Sequence, residues 1–117
     1  MGILDTKFAI VNADRTAFVY SDLGVPKESL IPKKSGTSDT HQGAIEIIRR
    51  MRAGCVRNAQ KTQDFIDTQE KSFPGAQYAG LRKENTLAST TYIKKLEELE
   101  KATYRVVEII TLVWPAA

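Results

Sequence analysis

The stretch from Tyr92 to Val113 constrains this chain more than any other, because Tyr92, Leu96, Leu99, Thr103, Val106, Ile110 and Val113 recur at alternating spacings of four and three. That rhythm predicts a helix with one narrow seam turned toward a partner helix. Its second half goes further. Val106, Val107, Ile109, Ile110, Leu112, Val113 and Trp114 leave only Glu108 and Thr111 polar, and a helix apolar on nearly every side has to be covered on nearly every side. The Val, Ile and Thr content of Arg105 to Trp114 also suits a strand that would complete a sheet with the N-terminus. The unbroken spacing favours helix, and Pro115 ends the element either way.

A partner for that seam lies upstream. Ile48, Met51, Cys55, Ala59, Thr62, Ile66 and Phe73 share one stripe of a long predicted helix, with Ala44 at its start and Gly54 as its weak point. Ser38, Asp39 or Thr40 can cap it by accepting a hydrogen bond from the first free backbone N–H groups. Phe73-Pro74-Gly75 stops it. The second helix starts between Ala76 and Thr86, with Asn85 as a cap if the residues before it are loop. With an early start, Leu81, Ala88 and Tyr92 extend its apolar stripe upstream.

Before the helices, Phe8-Ala9-Ile10-Val11 and Thr16-Ala17-Phe18-Val19-Tyr20 flank the turn formers Asn12 and Asp14, a strand-turn-strand pattern. An isolated hairpin of this size is marginal in water, so it must pack on something. Residues 23–40 carry Pro26, Pro32, Gly24 and Gly36 and predict an irregular connector, with Leu30 and Ile31 as anchors. The expected fold is therefore mainly α: an N-terminal β-hairpin or extended arm over 1–22, a connector over 23–40, and a long antiparallel two-helix hairpin over 41–117. A chain of 117 residues has room for one such core.

Catalytic chemistry finds little raw material. The single His41 sits in the first turn of the first helix, where the positive helix end disfavours its charged form. The single Cys55 lies on an apolar stripe and reads as a small core residue. Glu97, Glu98 and Glu100 alternate with lysines on one solvated face. No enzyme, cofactor or metal site is expected. One cysteine also forbids an internal disulfide, which suits a reducing compartment or a virion-like particle. The N-terminus lacks a secretory signal pattern. Gly2 with Thr6 loosely matches an acylation motif, which makes Gly2 a candidate lipidation site. The longest apolar run is about half the roughly 20 residues a bilayer crossing needs.

Two binding surfaces follow from the pattern. The apolar surplus at Val107, Ile109, Leu112 and Trp114 exceeds what a two-helix hairpin can enclose, which points to burial by other protein subunits, in a homo-oligomer such as a shell or filament, or in a multi-protein complex. The alternative is a basic adaptor that meets nucleic acid or an anionic membrane through Arg49, Arg50, Arg52, Arg57 and Lys61. Net charge is only +3, Glu46 and Asp64 dilute that face, and no aromatic residues interleave to stack bases.

Overall fold

Strand β1 (Ile3–Asn12) is the strand on which the sheet is built. One of its edges pairs with β5 (Tyr104–Val113) over ten residues, from Ile3 opposite Val113 to Asn12 opposite Tyr104. The other edge is shared. β2 (Phe18–Asp22) takes Ile10 and Val11, and β4 (Thr37–Ser38) takes Phe8 and Ala9. β3 (Val25–Ser29) pairs with the outside of β2, and every pairing is antiparallel. The computed structural model describes residues 3–113 of the 117. They form a mixed α/β fold, an N-terminal sheet region followed by two long packed helices.

The turn from β1 to β2 is held by one side chain. The Asn12 Oδ1 accepts from the backbone N–H of Thr16 (2.9 Å) and Ala17 (3.2 Å), and its Nδ2 donates to Thr16 Oγ1 (2.8 Å) and Glu28 Oε2 (3.0 Å). Such local bonding is why Asn favours turns.

Helix α1 (His41–Asp67) begins at Thr40, whose side chain accepts from the Gly43 N–H at 3.0 Å. Its first half packs on the sheet. Ile10 and Val19 from the strands meet Ala44 and Met51 from the helix, with Phe8, Ile47, Ile48, Tyr104 and Val106 around them. The second half leaves the sheet and pairs with α3 (Ala79–Lys101). Their antiparallel sense is read from contacts at both ends: Arg52 donates to the Glu100 carbonyl oxygen, and Gln69 Nε2 donates to Thr86 Oγ1 at 2.8 Å. Cys55 and Leu96 are buried along the way. The short α2 (Gln69–Ser72) continues α1 after a break at Thr68, and Gly75 at φ 92° turns the chain back. The outcome is elongated, 72 × 30 × 21 Å.

Three expectations are corrected. The helix seam does not run on to Val113: α3 ends at Lys101, Ala102 is extended (φ −62°, ψ 153°), and the chain becomes β5 at Tyr104. The β-branched run found ten backbone partners along β1, and that ladder outweighs a periodicity that a short apolar stretch can match by accident. The packed side of α3 is also turned from the expected one. Arg82, Asn85, Thr86, Ser89, Ile93 and Leu96 are the less exposed positions, whereas Leu81, Ala88 and Tyr92 face solvent. Asn85 is inside the helix and donates to Gln69 Oε1 at 3.1 Å. Finally, the connector is not wholly irregular, since it contains β3 and β4.

Candidate protein interface

Helix α1 packs on the face of the sheet that carries Ile10 and Val19. Residues that alternate with Ile10, Val19 and Val106 point the other way, and they make their own apolar patch: Ala9 opposite Val107, with Val11 opposite Phe18. Ala9 and Val11 are buried, and Phe18, Val107 and Ile109 are half-buried. The helix that packs on the sheet, α1, lies on the opposite face from this patch.

The edges differ in chemistry. On the far side of the sheet, β3 carries Pro26, Lys27 and Glu28, with Lys27 paired to Asp22 at 2.6 Å. Proline and charge are the usual guards of an edge strand. Among the described residues, β1 between Ile3 and Lys7 has β5 on one edge only, and there Lys7 is paired with Asp39, a contact that raises the lysine pKa. The outer edge of β5 pairs with no strand among the described residues. It is ten residues long, contains no proline or lysine, and has only Arg105 and Glu108 charged. Ile110 on it is 58% exposed.

The four residues expected at an interface are therefore strand residues where they are described, not a helix end. Val107 and Ile109 lie on the face away from α1, and Leu112 pairs with Leu4 in the ladder. Trp114 and the acylation candidate Gly2 lie outside the described residues.

The five basic residues do not gather into one surface. Arg49 holds Glu46 at 2.6 and 3.0 Å, which keeps the Glu46 carboxyl below its usual range, and Arg50 reaches the same carboxylate at 3.5 Å. Arg52 lies over the Tyr104 ring, 5.0 Å from its centroid. Arg50, Arg57 and Lys61 share a stripe of α1 with Gly54, and the β2–β3 turn seats on that glycine beside the Arg57 guanidinium.

That turn holds a residue the spacing arguments missed. Leu23 and Gly24 both have positive φ, 54° and 83°, as a two-residue hairpin turn requires. Leu23 is 92% exposed. Asp22-Leu23-Gly24-Val25 was readable as a turn from its glycine, but only the backbone reveals a bulky side chain in the left-handed region.

Tyr104 closes the junction of sheet and helices. Its hydroxyl donates to the Leu99 carbonyl oxygen, and burial, with Cys55 nearby, pushes its pKa up to about 12 against the opposing pull of Arg52. Burial likewise raises the Cys55 thiol. His41 meets Phe8 edge-on at 5.8 Å. Among the described residues, no group of three or more His, Cys, Asp or Glu is placed to hold a metal ion, and no helix is long and apolar enough to cross a membrane.

The arrangement is that of an antiparallel sheet with a projecting helical hairpin. Comparison with known proteins finds no matching family model, no matching curated protein and no matching solved structure.

Proposed function

We propose that this protein is a non-enzymatic structural subunit that associates with other protein chains through β5 and the sheet face it borders, in a homo-oligomer such as a shell or filament, or in a multi-protein complex. The observation that carries this reading is the outer edge of β5, which pairs with no strand among the described residues and carries the exposed Ile110 beside the half-buried Val107 and Ile109. An exposed, long, apolar edge is a template for another strand, and soluble monomers usually blunt it. The helical hairpin, with Val56 and Leu87 exposed, adds a second surface for neighbours.

The test is the solution mass by light scattering over a range of protein and salt concentrations, with the absorbance ratio recorded. A defined nucleic-acid-free multimer that persists in high salt is the expected result, because apolar burial is strengthened by salting-out anions. Ile109→Asp should lower that mass with the circular dichroism unchanged, since the new carboxylate would stand beside Lys7. A nucleic-acid-laden species lost on adding salt would overturn the reading in favour of the basic adaptor.

A further inference from the structure

We infer that the recess between the β2–β3 turn and the helical hairpin binds single-stranded nucleic acid, with Tyr92 and Phe65 stacking on bases and Arg57, Lys61 and Lys95 meeting phosphates. The β2–β3 hairpin stands at the other edge of the sheet from β5, so the inference goes beyond the assembly reading and does not rest on it.

The packed helices bring together what neither holds alone. On α1, Arg57, Lys61 and Phe65 follow one another at intervals of four, which sets them in one row along the helix. On α3, Tyr92 and Lys95 stand one turn apart. The two rows flank the same groove, because Asn58, next to Arg57, lines a hollow of about 330 Å³ together with Tyr92, Lys95 and the turn residues Leu23 and Lys27. The Arg57 guanidinium closes on that turn from beside Gly24.

Charge sets the sign of the ligand. Arg57, Lys61 and Lys95 make no ion pair among the described residues, and Asp22, the carboxylate in the lining of the hollow, is held by Lys27 at 2.6 Å. The surplus is positive and faces solvent, which suits a polyanion. Tyr92 and Phe65, each 42% exposed, place aromatic surface among these cations, the combination on which unstacked bases settle. A duplex offers no free base faces. A bilayer takes up apolar side chains that project, whereas both rings here are more than half buried beside a hollow, and Leu23 alone is too little apolar area to hold a membrane surface.

Fluorescence anisotropy of the full chain with a labelled oligo(dT) of about 12 nucleotides reads the binding. The strand should bind at low salt, with the logarithm of its affinity falling against the logarithm of salt at a slope of about −2, the value for three phosphate contacts on a single strand. Lys61→Gln should make that slope shallower by about 0.7. Tyr92→Ala should weaken binding about fivefold or more, and Tyr92→Phe should keep it. Lys83→Gln, on the opposite face of α3, should change neither affinity nor slope. A strand that does not bind, a duplex of the same length that binds as well, or a Tyr92→Ala variant that binds like the wild type would each overturn the inference. So would capture on anionic phosphatidylserine vesicles in place of the strand. The mass of the oligonucleotide-free protein tests the assembly reading separately, since high salt releases a strand and leaves an apolar contact in place.

Discussion

Gly24 at the tip of the β2–β3 turn lies against Gly54 in the middle of α1, and a Cβ added to Gly54 would collide with the Gly24 carbonyl group. This contact locks the sheet to the helix at the point where α1 leaves the sheet. Gly54→Ala should therefore destabilise the protein although alanine is the better helix former. Overpacking of this kind costs about 1–3 kcal/mol, and here the obstacle is backbone. Gly80 in α3 has nothing within 4 Å of the same added atom. Gly80→Ala should stabilise by up to about 1 kcal/mol through helix propensity alone. Thermal melts of the two variants should move in opposite directions.

Leu23 holds a left-handed conformation with 92% of its surface exposed. A bulky residue there costs about 1–2 kcal/mol relative to the right-handed regions, and Asn tolerates the position better. Leu23→Asn should raise the denaturant midpoint by an amount equal to about 1 kcal/mol without changing the slope. A loss of stability would mean that Leu23 makes a contact within the fold that its exposure does not reveal.

The parts of this architecture that were legible share a cause, which is that local chemistry and tertiary context agreed. Asn12 and Asp14 marked the hairpin turn, Thr40 was among the capping candidates, and Phe73-Pro74-Gly75 marked the reversal. The passage from α3 to β5 was hidden because no glycine or proline stands between Lys101 and Tyr104. Val106 and Ile110, four apart, satisfy a helix stripe and also fall on one face of a strand. The choice between them was made by β1, at the other end of the sequence. The same holds for the interface: Val107 and Ile109 could be named from hydrophobicity, but the open edge exists only in the assembled sheet.

The tip of the helical hairpin is held by polar groups in place of an apolar core. Arg82 Nη1 donates to the carbonyl oxygens of Phe73 (2.6 Å) and Gly75 (2.7 Å), and the buried Gln69 bonds Thr86, Asn85 and the Arg82 carbonyl. Hydrogen bonds to a charged donor are worth about 1.5–3 kcal/mol. Arg82→Ala should speed amide hydrogen exchange in residues 69–82 by tenfold or more, while exchange in β1 stays as it was. Equal acceleration in both regions would show that the tip and the sheet open together.

Tyr104 makes the protein's stability depend on alkaline pH. Its folded pKa is about 12, raised chiefly by burial, against an ordinary value of about 10 for an exposed phenol. Between those values the unfolded chain gives up its proton while the folded chain keeps it, so base favours unfolding. The stabilising contribution is complete below pH 10 and is lost as the pH climbs to about 12. Lys7, whose pKa is raised by its hydrogen bond to Asp39, works in the same direction. Tyr104→Phe removes the phenol's share and its hydrogen bond to Leu99. At neutral pH the variant should be less stable by about 1 kcal/mol, the usual net worth of one such bond. Denaturant midpoints taken from pH 9 to 12 should then fall less steeply in the variant than in the wild type. Parallel slopes in the two proteins would place the alkaline sensitivity elsewhere and would mean that Tyr104 ionises alike in both states.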